Sequence, residues 1–417
     1  MEYGCIGEKL GHSFSKIIHN KLTDYDYELK EIAKADLKKF MTQKDFRAIN
    51  VTIPYKEDVI PFLDEIDKTA KVIGAVNTVV NKNGKLYGYN TDFSGLNALI
   101  SKNNIEIKNK KVLILGSGGT SKTANAVANY LGAKEVYRVS RNGGQGLITY
   151  KEAYQNHSDT EIIINTTPCG MYPKIGVSAV EIEKFPKLEA VVDAVYNPLS
   201  SALVVDAKDK GIKAVGGLYM LVAQAVFAAE LFLDVKFDIK EIDRIFREIE
   251  AEKQNIVLIG MPGCGKTTVG KELAKAINKE FIDTDEEIVK REGISIPEIF
   301  KALGEAGFRK IESEIIKDVA ARQGLVIATG GGAVLKEENT KLLKGNGIVF
   351  FLDRDLSAIA ATSDRPLSSN REDLKKRYNE RYPIYCKSTD FKISCNNEVS
   401  DNVNAVKEVI NSENFSN

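Results

Sequence analysis

Apolar residues recur along this chain in two rhythms. Short unbroken runs such as Lys111-Val-Leu-Ile-Leu115 and Asn255-Ile-Val-Leu-Ile259 have the length and make-up of buried strands. Between such runs lie longer stretches with helical spacing. In residues 239–254 (IKEIDRIFREIEAEKQ), Ile239, Ile242, Ile245, Phe246 and Ile249 share one stripe with charges opposite. Strand-like and helix-like segments alternate from end to end, which predicts an α/β protein with mostly parallel sheets. The stripe through Ile249 reads as a docked helix that closes one unit, and polar residues 251–254 as a short joint to the next. Two units are expected, 1–250 and 253–417. Within the first, a nucleotide-binding alternation over 102–217 leaves 1–101 and 218–250 to build a separate layer.

Two of the buried runs lead into glycine-rich turns followed by helices, the arrangement that cradles phosphates with backbone N–H groups and a helix N-terminus. Gly260-Met-Pro-Gly263-Cys264-Gly265-Lys266-Thr267-Thr268 fits the G-x-x-x-x-G-K-[ST] pattern in its strand–loop–helix context. The glycines let the backbone wrap the phosphates, Lys266 reaches the outer phosphate oxygens, and Thr267 offers a hydroxyl to Mg²⁺. The other turn, Gly116-Ser117-Gly118-Gly119-Thr120, lacks the third glycine of a dinucleotide fingerprint. A better cofactor indication comes from the next strand, which ends in Ser140-Arg141-Asn142. An NAD site places an acid there, whereas an arginine suits the 2′-phosphate of NADP. Arg141 also reads as an ordinary strand-end charge.

Composition narrows the classes. Lys plus Arg (58) balances Asp plus Glu (58), which argues against nucleic acid or an anionic membrane as partner. No apolar run is long enough to span a bilayer, and Met1-Glu2-Tyr3-Gly4 lacks a secretory start. Five Cys without paired spacing fit free thiols in the cytoplasm, and three His give no metal cluster. The oligomeric state is left open.

What the phosphoryl group goes to is read from the second unit. Phe281-Ile-Asp283-Thr-Asp285 places two carboxylates two apart; alternation points both at the nucleotide loop if the strand persists, and the plainer alternative is Asp285 as a helix N-cap before Glu286-Glu287-Ile288-Val289. Gly304-Glu-Ala-Gly-Phe308-Arg309 opens a long helix, and Ala328-Thr-Gly330-Gly331-Gly332 suggests backbone close to a ligand. With Arg365-Pro366-Leu367 and Arg381-Tyr-Pro-Ile-Tyr385, these motifs resemble shikimate kinase, in order, over 255–395. That resemblance implies that Asp285 holds and deprotonates the acceptor hydroxyl of shikimate. Asp283 would assist Mg²⁺, Arg309, Gly331 and Arg381 would bind the substrate, and Arg365 would serve the transferring phosphate from a lid. Related kinases carry a further lid arginine that stacks on adenine; here that stretch is Ala360-Ala361-Thr362, so the nucleotide is expected to rest on the phosphate loop and Arg365.

The first unit carries Gly11-His-Ser13-Phe-Ser15, Asn50-Val-Thr52-Ile-Pro-Tyr-Lys56, Gly74-Ala-Val-Asn77 and Tyr89-Asn-Thr-Asp92. Later come Asn165-Thr-Thr-Pro-Cys-Gly170, Asp193-Ala-Val-Tyr196-Asn-Pro198 and Gly217-Leu-Tyr-Met-Leu-Val-Ala-Gln224. Singly, each has a structural explanation, Ser15 and Asp92 as caps and Lys56 as a solvated charge. Together they resemble shikimate dehydrogenase over nearly all of 1–235. The resemblance implies Lys56 and Asp92 as the catalytic pair. Ser13, Ser15, Thr52, Asn77, Tyr196 and Gln224 would contact the substrate, and Gly217 would join the NADP(H) set. An ammonium beside a ketone that gains negative charge on reduction is sound acid–base chemistry.

The expected architecture is therefore a substrate domain plus a Rossmann-like NADP domain, followed by a P-loop kinase domain with a parallel sheet. The expected activities are NADPH-dependent reduction of 3-dehydroshikimate to shikimate and ATP- and Mg²⁺-dependent phosphorylation of shikimate. A non-catalytic regulator built from such domains would lose catalytic side chains or carry a basic DNA-binding segment; Lys56, Asp92, Lys266 and Asp285 all remain, and no such segment is present. A quinate enzyme using NAD is the other alternative, and Arg141 weighs against NAD.

Overall fold

The computed structural model describes residues 1–11, 14–359, 371–395 and 398–416. Its chain divides into two compact units: Met1–Met171 with Val177–Tyr196 and Asp206–Glu248, and Tyr172–Gly176 with Asn197–Val205 and Ile249–Asn417.

The first unit contains two sheets. One is built from β1 (Tyr3–Gly7), β2 (Tyr27–Glu31), β3 (Ala48–Val51), β4 (Glu65–Ile66), β5 (Thr78–Lys82) and β6 (Lys85–Tyr89), in the order β2-β1-β3-β5-β6-β4. It is mixed, not parallel throughout: β5 runs antiparallel to both β3 and β6. The reversal follows from Asn83-Gly84, both at positive φ (54° and 85°), a two-residue hairpin turn whose twist matches the strands it joins. Alternation along β1 sends Ile6 to one face, against Phe40 and Met41, and Tyr3 and Cys5 to the other, against Phe232. Phe232 belongs to the helix Leu218–Leu233, whose apolar residues are buried nearly all round.

The second sheet comprises β7 (Lys111–Leu115), β8 (Glu135–Ser140), β9 (Leu147–Thr149), β10 (Ile162–Asn165), β11 (Ala190–Asp193) and β12 (Lys213–Val215). All its pairings are parallel, in the order β12-β11-β10-β7-β8-β9. The chain leaves β7 toward β8 and returns later to β10 on the other side, so the glycine turn after β7 opens at the point where the winding reverses. Ligands of doubly wound sheets bind in that crevice.

In the second unit, β13 (Asn255–Ile259), β14 (Glu280–Asp283), β15 (Leu325–Ala328), β16 (Gly347–Arg354) and β17 (Phe391–Cys395) form a fully parallel sheet ordered β14-β15-β13-β16-β17. The apolar runs of β13, β15 and β16 are its core, covered by residues such as Leu273, Ile315, Ile316 and Val406. Among the described residues no helix is long and apolar enough to cross a membrane.

Of the residues expected as a joint, 251–253 are helical. The helix Ile239–Lys253 runs to within one residue of β13. Its last carbonyls do not fray, because Lys279 Nζ donates to Ala251 O (2.8 Å), Glu252 O (3.1 Å) and Gln254 O (2.8 Å). An ammonium there satisfies the orphan acceptors of a helix C-terminus, and burial holds its pKa down, to about 8.

Candidate active sites

In the first unit, Lys56 and Asp92 meet although 36 residues separate them: Nζ and Oδ2 are 2.5 Å apart and both side chains are largely buried. Asp92 lies in the first turn of the helix Thr91–Lys102, which Asn90 caps by accepting from Phe93 N at 3.1 Å. A carboxylate there is favoured by the helix dipole. Lys56 is also placed beside the dinucleotide-type turn, since a Cβ on Gly119 would lie 3.7 Å from its Cδ. The pair thus stands where the mixed sheet and the parallel sheet of this unit come together.

Beneath the pair runs a buried polar chain. Asn77 Oδ1 accepts from Thr91 N at 2.7 Å, which fixes the amide, while Nδ2 donates to Thr91 Oγ1 (3.1 Å) and Gln224 Oε1 (3.5 Å). Thr78 Oγ1 donates to Asn77 Oδ1 at 3.2 Å, Asn50 Nδ2 donates to Thr78 Oγ1 at 3.2 Å, and Tyr27 hydroxyl donates to Asn50 Oδ1 at 2.7 Å. Tyr196 packs edge-on against Phe14 at 5.3 Å, next to Ser15, and burial raises its phenol pKa. Thr52 follows β3, its N–H bonded to Ile6 O at 2.9 Å. Ser13 lies outside the described residues. Thr78, Asn50 and Tyr27 were not singled out as candidates; β-strand residues with hydroxyl and amide groups pointing inward give only a faint sequence signal.

The turn after β7 has the features of a phosphate cradle. Gly116 adopts φ 122°, and a Cβ there would stand 2.5 Å from Thr166 Oγ1. Gly118 caps the helix Gly119–Tyr130 with no side chain in the way, and Ser117 and Gly118 are exposed while Thr120 is partly covered. Ser140 ends β8, and Arg141 and Asn142 project beyond it, exposed. These residues fit a dinucleotide with an anionic 2′ substituent. Gly217 sits where its N–H donates to Val195 O at 2.8 Å and any Cβ would strike Ala194 O, so close chain approach alone requires a glycine there.

In the second unit, Gly260, Gly263 and Gly265 take φ of 146°, 83° and 105°, so the loop needs them as glycines. Cys264 is buried within the loop, and Gly263 and Thr268 are exposed along it. Lys266 Nζ is held by Gly260 O (2.9 Å) and Met261 O (3.0 Å). Thr267 Oγ1 donates to Asp283 Oδ2 at 2.7 Å. This hydroxyl–carboxylate pair offers the hard oxygen donors that Mg²⁺ takes alongside phosphate oxygens.

The two acids are arranged otherwise than by strand alternation. β14 stops at Asp283, whose Oδ1 accepts from Asp285 N at 2.9 Å as cap of the helix Thr284–Glu292, and Asp285 occupies the first turn. The helix start is real, but the cap is Asp283 and not Asp285, which lies inside the first turn; Thr284-Asp-Glu-Glu287 is a strong helix start that ends the strand early. Burial, reinforced by Asp283, raises the Asp285 carboxyl to about 6.

The three glycines after β15 are crowded by protein. A Cβ on Gly331 would meet Pro262 Cδ at 2.6 Å, and one on Gly332 would strike the Arg309 guanidinium. Gly331 O accepts from Arg381 Nη1 (2.9 Å) and Tyr385 hydroxyl (2.5 Å). Arg309 Nη1 donates to Glu312 Oε2 at 2.7 Å. Glu312, 1% exposed, was not anticipated; its position three residues past Arg309 on one helix is the signal that was available. A break at Gly304 (φ 67°, ψ −177°) starts this segment of the helix Ile296–Ala320 afresh and lets it carry both residues inward. Arg309, Arg381 and Gly331 are thus gathered beside Asp285 and the loop, an arrangement suited to a small anion. Arg365 lies outside the described residues.

Comparisons with known proteins agree with both halves. The family model described as shikimate dehydrogenase substrate binding domain matches residues 5–79, and that described as shikimate kinase matches residues 262–412. Shikimate dehydrogenase (NADP(+)) of Clostridium perfringens (strain 13 / Type A) is 38% identical over 266 residues, covering 60% of this chain and 98% of the relative. A chorismate mutase/shikimate 5-dehydrogenase fusion protein from Clostridium acetobutylicum aligns with TM-score 0.57 and 39% identity, over 60% of this chain and 96% of that one. The shikimate 5-dehydrogenase of Thermus thermophilus in complex with NADP(H) and shikimate aligns with TM-score 0.54 and 27% identity, over 60% and 99%. The chain belongs to the shikimate dehydrogenase family and carries a shikimate kinase domain fused after it.

Proposed function

We propose that this bifunctional shikimate-pathway enzyme reduces 3-dehydroshikimate to shikimate with NADPH and then phosphorylates the shikimate 3-hydroxyl with ATP. The observation that carries the reading is the buried Lys56–Asp92 pair, 2.5 Å apart, beside Gly119 at the start of the cofactor helix. NADPH supplies the hydride. Lys56 gives a proton to the carbonyl oxygen as that oxygen becomes negative, and Asp92 holds the ammonium and shares the hydroxyl so formed. Asn77, Gln224, Thr52 and Tyr196, with Ser13 and Ser15, orient the ring and its carboxylate.

In the kinase half, ATP supplies the phosphoryl group and Mg²⁺ screens its charge, with Thr267 and Asp283 as the protein donors. Asp285 takes the proton of the attacking hydroxyl; a carboxyl poised near 6 is matched to that task near neutral pH. Arg309 and Arg381 grip the carboxylate, and Lys266 and Arg365 neutralise the phosphates. The product of the first reaction is the substrate of the second. We assign residues 1–101 and 218–250 to the dehydrogenase substrate domain, 102–217 to the NADP domain and 253–417 to the kinase domain. A cytoplasmic location belongs to the same reading, supported by five free cysteines.

The test uses the purified chain with shikimate and either NADP⁺ or ATP·Mg²⁺. NADPH and 3-dehydroshikimate are expected in the first case, ADP and shikimate 3-phosphate in the second. Absence of either pair removes the corresponding half of the assignment.

A further inference from the structure

Arg354 is the last residue of β16, the strand that pairs with β13 and so ends beside the Gly260–Thr267 loop. Its Nη1 lies 3.9 Å from where a Cβ on Gly265 would sit. Gly265 caps the helix Lys266–Ala276, so this guanidinium stands at the edge of the phosphate cradle. On its other flank is Cys395, the last residue of β17; burial raises that thiol to about 12, and the positive charge of Arg354 pulls the other way.

What the guanidinium lacks, among the described residues, is a protein acceptor. Nε is buried and makes no hydrogen bond there. The carboxylates on either side are engaged elsewhere. Asp353 Oδ2 is paired with Lys392 Nζ at 2.8 Å and also receives the Tyr382 hydroxyl at 3.5 Å, while Oδ1 receives the Tyr378 hydroxyl at 3.4 Å. Asp355 Oδ1 accepts from Ser357 N (2.7 Å) and Ser357 Oγ (2.5 Å). Strand alternation also sends Asp353 and Arg354 to opposite sides. A partly buried cation with no counter-charge among the described residues is costly unless an anion completes it. The loop beside it is built to hold one.

We propose that Arg354 is a nucleotide-binding residue of the kinase half, donating from its guanidinium to a phosphate oxygen of the nucleoside triphosphate held in the Gly260–Thr267 loop. This inference rests on the kinase reading above. From the sequence the nucleotide was expected to depend on the loop and Arg365. Arg354 adds a cation from the strand end, on the segment where Ala360-Ala361-Thr362 provides none.

The experiment compares the full-length wild type with Arg354→Met and Arg354→Lys, with protein concentrations normalised on dehydrogenase turnover. ADP affinity is measured by calorimetry, and KM for ATP and for shikimate in the kinase assay. Arg354→Met should raise the ADP Kd and the ATP KM about tenfold or more, the scale of one charge-assisted hydrogen bond, and leave the shikimate KM within about twofold. Arg354→Lys should recover part of the loss. An ADP Kd for Arg354→Met within about twofold of wild type overturns the proposal. So does an equal loss of affinity for nucleotide and shikimate accompanied by a lowered Tm, which would make Arg354 structural. Wild type that binds ADP but does not phosphorylate shikimate would overturn the kinase reading instead, and the ADP measurements would still decide the role of Arg354.

Discussion

Asp285 and Glu312 face one another across Gly330: a Cβ on that glycine would stand 2.6 Å from Asp285 Oδ1 and 2.9 Å from Glu312 Oε1. Each carboxyl is raised, first by burial, and the charge of Glu312 also pushes the Asp285 carboxyl up. The ionised form of Asp285 is the one that accepts a proton, and it is lost as pH falls through about 6. The kinase kcat/KM should therefore show an acid limb near that pH. Glu312→Gln removes one negative charge and should move the limb to lower pH, while weakening shikimate binding through Arg309. A limb that stays in place in Glu312→Gln would show that the two carboxyls do not interact.

Linkage gives a companion expectation for stability. A carboxyl raised in the folded state makes the fold less stable as pH climbs from its ordinary value of 3.8 through about 6. Asp285→Asn should therefore stabilise the kinase unit above pH 6 and lose that advantage below pH 4, as read from Tm against pH.

Gly330→Ala tests the packing directly. Its methyl group has no room between the two carboxylates, so overpacking should destabilise the second unit by about 1–3 kcal/mol and remove most phosphoryl transfer. Thermal unfolding and kinase turnover measure the two effects.

For the dehydrogenase half, Lys56→Ala should lower kcat for NADP⁺-linked shikimate oxidation by roughly a hundredfold or more, the usual scale for a positioned acid–base group. Kinase turnover in the same sample should persist. Normal oxidation by this variant would remove Lys56 from the mechanism.

Arg141, exposed just past β8, is the residue expected from the sequence to favour NADP⁺. Because only NADP⁺ presents a 2′-phosphate, Arg141→Ala should weaken NADP⁺ far more than NAD⁺. Equal losses, measured as KM for each cofactor, would make Arg141 structural.

The buried chain from Tyr27 to Gln224 also has a measurable consequence. Thr78→Val keeps the shape but leaves Asn50 and Asn77 short of a partner, at a cost of about 1–3 kcal/mol. The shikimate KM should rise more than kcat falls, since Asn77 loses its support while Lys56 and Asp92 keep theirs. A Tm change with an unaltered KM would show that the chain serves only stability.

Much of the fold was legible because buried parallel strands are written as continuous apolar runs, as in β7 and β13. The antiparallel pair β5–β6 was harder to see, since its reversal rests on the single dipeptide Asn83-Gly84. Lys56 and Asp92 were found through the motifs around them; no spacing rule links residues 36 apart. Asp283 and Asp285 do lie beside the nucleotide loop, but through a helix start and not through strand alternation, because helix start signals overrode it. Glu312 and Arg354 were missed for a shared reason. Each lies in a charged stretch, and sequence alone does not show which member of such a stretch is buried.

The strand order reported above has one more consequence, for the order of events during synthesis. Every strand of the first two sheets comes from residues 3–215, and every strand of the third from residues 255–395. Among the described residues, no sheet's strands are interleaved in sequence with those of another sheet, so each is completed before the next begins. At about 5–20 residues per second, the ribosome needs on the order of ten seconds or more to deliver the rest of the chain after the helix Leu218–Leu233 emerges. The oxidoreductase sheets therefore have time to close while the P-loop strand is still being made. A lesion that misfolds the kinase half should consequently leave nascent chains with a competent first half, and truncated products ending near residue 250 should accumulate as active dehydrogenase.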